Sequence, residues 1–312
     1  MLKDRTKFTH LDADEGIFFA RQLEYVKSRT YDKLYPELKA RMIIPMDPEA
    51  DPGADTVKYE QFDQVGMAKI IANYAKDLPR ADIKGKEFIH PVRSLGASYG
   101  YNVQEVRAAR MANKPLTTRK ANAARRAIMQ LENNIAFFGD ASHGLQGLIN
   151  HPNIQEFTLP ADGTGSVKLF SAKTPDQVNR DLNSMVKQVI TTTKGVHMPD
   201  TLLLTTDIWA DLTGRRMTDI NMTVLNYFLQ NNPSVRNVEW LNELDGQGAG
   251  GTDRIMVYKR DPDMLMLEIP QDFEQFPVQE EGLEFTVPVH ERCGGIIVPY
   301  PLSICYADGA HA

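Results

Sequence analysis

The chain has 312 residues, 42% hydrophobic and 24% charged, which is enough apolar side chain for a packed core and too much for a disordered polymer. There is no run of eighteen uncharged apolar residues, and the N-terminus, Met1-Leu2-Lys3-Asp4-Arg5, lacks the apolar segment of a signal peptide. Neither a membrane-spanning helix nor secretion is expected, so the protein stays in the cytosol where it is made. A net charge of −6 argues against a general nucleic-acid binder. Cys293 and Cys305 match no zinc or redox spacing and are too few for a disulfide framework, so both are expected as buried, reduced thiols.

Residues 1–41 mix nine basic with seven acidic side chains. Asp14 precedes a helical pattern through Glu15, Ile17, Phe18, Leu23 and Val26. With so little core of its own, the segment reads as an arm that packs on a neighbouring molecule. Pro45, Pro48, Pro52 and Gly53 mark an irregular passage, after which residues 56–62 alternate as a strand and residues 87–100 form a second strand candidate. Residues 64–86 lie between them. Ile70, Ile71, Tyr74 and Leu78 are too few apolar groups for a core, which predicts a two-stranded ribbon projecting from the body. Its order must come from another molecule, and Gln64, Met67, Ile70, Ile71, Tyr74 and Leu78 are the candidate contacts.

The strongest helical pattern follows. Ala121, Ala124, Ile128, Leu131, Ile135 and Phe138 recur at steps of three and four, which predicts one apolar stripe along a helix over 117–138, roughly 33 Å long. Arg119, Lys120, Arg125, Arg126, Glu132 and Asn133 are expected on the opposite face. Pro115 and Thr117-Thr118 are start signals, and Gly139 is the stop before a Gly-rich turn over 142–152.

Thr174-Pro175-Asp176-Gln177 is a capping box with Pro at the first helical position. Val178, Leu182, Met185, Val186, Val189 and Ile190 form the apolar face of that helix, which Gly195 ends. A buried strand at 202–204 and helices at 207–213 and 223–229 come next. A flexible loop with Gly246, Gly248, Gly250 and Gly251 precedes strands at 254–258, 265–269, 284–289, 295–298 and 303–306. The class is α+β with largely antiparallel strands.

Catalytic patterns are absent. The Gly246 loop lacks the Gly-Lys-Ser/Thr ending of a P-loop and precedes a strand where a dinucleotide fingerprint opens a helix. His143 and His151 have no companion ligands at metal spacing and read as turn or interface histidines. His290 and Cys293, three apart on a strand, point to opposite faces and cannot act directly as base and nucleophile. No catalytic, cofactor or metal residue is expected, although an enzyme whose groups assemble only in space stays open.

Charge is segregated instead. Residues 107–126 hold seven Lys or Arg and no acid, whereas residues 261–291 hold nine Asp or Glu and no Lys or Arg. Such stretches form either two solvated faces or complementary patches that fix the register of a subunit interface. Arg119, Arg125, Arg126, Glu280, Glu281 and Glu284 are the candidates for the second role. Contact of the basic stretch with nucleic-acid backbone ranks below both, because no aromatic residue is interleaved to stack bases.

The order of parts resembles the tailed-bacteriophage major capsid proteins of the Hong Kong 97 fold, which encapsulin shells share. The order is an arm, a ribbon, a long helix ending in Phe138-Gly139-Asp140 with a Gly-Leu turn, a helix and strand domain, and a closing strand pair. The closing segment, Gly282-Leu283-Glu284-Phe285-Thr286-Val287-Pro288-Val289 through Arg292-Cys293-Gly294-Gly295-Ile296-Ile297-Val298-Pro299, is similar to the last two strands of that family. The resemblance implies an N-terminal arm over 1–50 and an extended E-loop with flanking strands over 51–95. It implies a peripheral domain over 96–152 and 261–294, with its spine helix at 117–138, and an axial domain over 153–260 and 295–312. It further implies a non-enzymatic subunit that assembles with itself, through hexamers and pentamers, into an icosahedral shell enclosing double-stranded DNA. The protein would be made in the host cytoplasm, reside in the virion and use no cofactor or membrane. Since no long scaffolding segment precedes the arm, the resemblance implies a separate scaffold or none, with a portal and a decoration protein as further partners and packaged DNA touched non-specifically at most. No Lys and Asn pair aligns with the covalent cross-link of part of the family. The rival readings are an encapsulin compartment with protein cargo and, from a different class, a cytosolic enzyme.

Overall fold

A computed structural model describes residues 33–70, 80–112, 116–162 and 168–311. The chain divides into two compact units, Met1–Glu37 and Leu38–Ala312. The expected arm helix near residues 14–26 lies outside the described residues.

The second unit opens with a strap, helix α1 (Ala40–Ile43) and the short strand β1 (Met46–Asp47). Strands β2 (Thr56–Val65) and β3 (Asp82–Pro91) pair antiparallel from Thr56↔Pro91 to Val65↔Asp82, so the expected ribbon exists, with its strands reaching further along it than the sequence suggested. The expected single strand over 87–100 is two. Pro91 has no N–H to continue a ladder, and β4 (Arg93–Asn102) leaves the ribbon to pair with another sheet. Helix α2 (Val103–Met111) went unread, although Asn102 and Glu105 form a capping box at its start.

Helix α3 (Leu116–Phe138) is the long amphipathic helix, and Gly139, at φ 69°, stops it. The turn then folds back on the helix end, with Leu148 N–H donating to Ala136 O at 2.9 Å and Ile149 N–H to Phe137 O at 2.9 Å. A Cβ on Gly147 would sit 2.4 Å from Gly139 N and from Phe137 O, so only glycine permits this approach. The face of α3 differs from expectation. Ala124, Ile128 and Ile135 are buried as read, but Leu131 is 44% exposed, and Glu132 and Asn133, expected outside, are buried. The reason is non-local, because the strap supplies their partners: Arg41 binds Glu132 and Ala40 N–H donates to Asn133 Oδ1 at 3.1 Å.

Strand β5 (Gln155–Thr158) precedes α4 (Pro175–Thr192), whose Thr174/Gln177 capping box and apolar face match the sequence reading. Then come β6 (Thr201–Leu204), α5 (Thr206–Gly214), α6 (Val224–Asn231), β7 (Asn237–Trp240) and β8 (Arg254–Tyr258). The Gly loop between β7 and β8, expected to be flexible, is tied down. Asp253 accepts from Gly246 N–H at 3.0 Å and Asp308 from Ala249 N–H at 2.9 Å. The chain closes with β9 (Met266–Glu268), β10 (Gln271–Gln275), β11 (Gln279–Glu281), β12 (Glu284–Cys293), β13 (Gly295–Ile297) and β14 (Cys305–Asp308).

A five-stranded sheet in the order β5-β14-β8-β6-β7 divides the core. Strand alternation sends Leu202, Leu204, Val257, Cys305 and Ala307 to one face, under α4, α5 and α6. Leu203, Met256, Tyr258, Ile304 and Tyr306 face the other way and meet α1 and the end of α3. The first half of α3 lies on β4 and β12, Ala124 and Ile128 packing with Tyr99, Val287 and Val289.

Candidate assembly interface

The ribbon is polar at its edges and apolar in patches. On one face Tyr59 stacks on Phe88, with ring centroids 5.0 Å apart, and on His90 at 5.7 Å. On the other face Lys58 bridges Glu87 at 2.7 Å and Glu60 at 3.5 Å, and Phe62 lies across Gly85, where a Cβ would meet its ring at 2.9 Å. Phe62, Ile83 and Ile89 on that face are each more than 60% exposed, as are Met67 and Ile70 beyond the paired strands. Phe62 and Ile83 are diagonal neighbours, and the Glu60/Glu87 pair separates them from Ile89, so the face carries uncovered large apolar groups in two places, the kind of surface a partner covers. Gln64 is also exposed; Ile71, Tyr74 and Leu78 lie outside the described residues.

The charged segments come together partly within one chain. The Arg125 guanidinium lies over the Phe273 ring at 5.5 Å, and Lys120 donates to Glu105 at 2.8 Å and to Gly100 O at 2.8 Å. Arg119 is exposed and Arg126 half-buried, each with a partner of its own. Glu280, Glu281 and Glu284 stand exposed around the tight β11–β12 turn.

Sequence reasoning missed the cluster that fastens the strap. Arg41 Nε donates to Glu132 Oε1 at 2.8 Å and Oε2 at 3.0 Å, and Nη2 donates to Oε2 at 2.7 Å. Its Nη1 lies 2.9 Å from Asp272 Oδ1, and Nη2 lies 3.5 Å from Glu291 Oε1. Glu291 is fully buried with neither oxygen hydrogen-bonded among the described residues; burial first, then the neighbouring Glu132 carboxylate, pushes it up to about 8. Nearby, Lys39 Nζ sits 3.3 Å from the Trp240 ring centroid and donates to Trp240 O at 2.8 Å. One signal was present: the step of four from Ile128 lands on Glu132, a charge in the stripe.

The groups considered for chemistry sit in local structure of their own. His143 contacts Asp140 at 2.5 Å, and the Ser142 hydroxyl with that ring holds the Asp140 carboxyl down to about 2. Burial pushes the Cys293 and Cys305 thiols up to about 12, far from thiolate reactivity. Among the described residues no group of three His, Cys, Asp or Glu is placed to hold a metal ion, and no helix is long and apolar enough to cross a membrane.

A ribbon whose described residues include no buried side chain, a long helix across a small sheet and a layered helix and strand body make up the Hong Kong 97 fold. The family model described as major capsid protein matches residues 66–310, and the chain belongs to that family. No curated protein sequence shows significant similarity. Among solved structures, the capsid of Myoviridae phage XM1 is similar with a TM-score of 0.81 at 18% identity, over 95% of this chain and 99% of that one. The capsid of a native GTA particle gives 0.64 at 9% identity, over 96% and 99%. A virus-like particle from Pyrococcus furiosus gives 0.55 at 12% identity, over 86% and 91%. The protein is a major capsid protein, a structural shell subunit.

Proposed function

We propose that this shell subunit assembles through hexamers and pentamers into an icosahedral container for double-stranded DNA, and that its work lies in its interfaces and not in catalysis. The observation that carries this reading is the ribbon, which exposes Phe62, Ile83, Ile89, Met67 and Ile70 and buries no side chain among its described residues. Residues 51–95 act as an E-loop laid across the adjacent subunit, with residues 1–50 as an arm. Residues 96–152 and 261–294 form the peripheral domain, and 153–260 and 295–312 the axial domain around the capsomer centre. An acidic wall suits a container, because tight binding of the genome would hinder packaging and release. The protein is made in the host cytoplasm and resides in the virion, with a scaffold, portal and decoration protein as its partners.

Replacing residues 64–86 by a short Gly-Ser turn tests this reading. Loop shortening costs little closure entropy, so the body is expected to stay folded and soluble. It is expected to form no closed shells, as judged by electron microscopy. Normal particles from the shortened chain would remove the ribbon from the mechanism. Nucleic acid in purified wild-type particles supports the DNA container; a protein cargo would favour the compartment reading.

A further inference from the structure

The basic stretch 107–126 is not uniform once folded. Its second half is engaged inside the chain, through Lys120 with Glu105, Arg125 over Phe273, and the partnered Arg119 and Arg126. Its first half is not. Arg107 and Arg110 on α2 are exposed and have no side-chain partner among the described residues. Helix α2 buries none of its residues, and Met111 at its end is 89% exposed. A helix of nine residues with only Val103, Val106 and Ala109 half-buried gains little from its own subunit.

The acidic stretch divides in the same way. Asp272 meets Arg41, and Glu268 and Glu291 are buried. Glu280, Glu281 and Glu284 have no ion-pair partner among the described residues. They surround a turn in which Glu281 faces Glu284 and Gly282 adopts φ 67°, with Leu283, 70% exposed, at the tip.

Both halves occupy one corner of the molecule. Val103 N–H, the first of α2, donates to Leu283 O at 3.1 Å, and Asn102 pairs with Glu284. A polar cavity of about 210 Å³ lies beside them, lined by Gly100, Asn102, Glu105, Lys120 and Glu284. From the turn α2 runs on for about 13 Å. Arg107 and Arg110 lie along its outer half.

Resting on the shell-subunit reading, we infer that this corner is a contact between two copies of the chain. The acidic β11–β12 turn of one copy seats against α2 of the next, setting Glu280, Glu281 and Glu284 against Arg107 and Arg110, with Leu283 against Met111. The occupant is a second copy because each half carries what the other lacks: three unpaired carboxylates around one bare apolar group, and two unpaired guanidinium groups beside another. Single exposed ion pairs add little affinity. The gain is in selection, since turn against turn or helix against helix would set like charges together.

The test compares wild type with Arg107→Glu/Arg110→Glu, with Glu280→Arg/Glu281→Arg, and with all four changes together, following particle formation by sedimentation at low and high salt. Melting curves report on folding, and Arg107→Gln/Arg110→Gln replaces the first variant if the acidic helix does not fold. Each reversal is expected to lower low-salt assembly about tenfold or more, the four-fold variant to recover most of it, and the differences to shrink at high salt. Wild-type particles accompanied by identical particles from both reversals would overturn the contact and leave the shell reading standing. So would failure of the combined variant to recover. A wild-type chain that forms no particle under any condition would overturn both.

Discussion

At the scale of the residue, Arg41 is the point where the strap is fastened. It satisfies the buried Glu132 with three hydrogen bonds and reaches both Asp272 and Glu291. Arg41→Ala leaves Glu132 buried and unpaired, and a loss of about 3–5 kcal/mol is expected in chemical unfolding. A change below about 1 kcal/mol would contradict the pairing. Glu291 gives a pH signature. It is held protonated in the fold up to about 8, against an ordinary value of 4.5, by burial and by Glu132, with Arg41 acting in the opposite direction. The folded chain therefore keeps a proton that the unfolded chain releases. The contribution of this group is full below pH 4.5 and falls as pH rises toward 8, by at most about 1.4 kcal/mol per pH unit for one proton. Glu291→Gln is expected to flatten that part of the profile, leaving the slope of Glu268, which burial and Asp47 raise to about 7. Parallel profiles for wild type and variant would contradict this account. None of this was legible locally: residues 41, 132, 272 and 291 meet only through the tertiary fold. A charge four residues after Ile128 was the single visible trace.

At the scale of the element, α3 holds two cores together. Ile128 lies on the β4/β12 sheet, and Phe137 is inserted into the main core. Ile128→Asp is expected to cost several kcal/mol and to yield little soluble protein, because an unpaired charge enters the apolar layer. Leu131→Asp is expected to fold with a nearly unchanged melting curve, because Leu131 is exposed. The opposite order of the two variants would overturn the assigned face. The bounds of α3 and α4 were readable because caps, glycine stops and apolar spacing are local properties. Strands β5 and β7 were not readable. Each has only four residues and is defined by parallel pairing, Gln155↔Cys305 and Thr201↔Asn237, with partners far away in sequence. The ribbon was read from its poverty in apolar groups. The extent of β2 and β3 followed only from their mutual register.

At the scale of the whole molecule, the second unit is a body with two cores back to back on one sheet, and a ribbon that leaves Phe62, Ile83, Ile89, Met67 and Ile70 uncovered. The order of ribbon, long helix, helix and strand body and closing strands was visible in the sequence because each has its own local signature. The strap cluster and the division of the charged stretches were not, since both depend on which partners the fold brings close. On the proposed reading, copies of the same chain cover those side chains. Electron microscopy of the purified recombinant chain tests that claim most directly. Large, uniform closed shells or ring-shaped capsomers are expected. A chain that stays monomeric at every concentration and salt would contradict it.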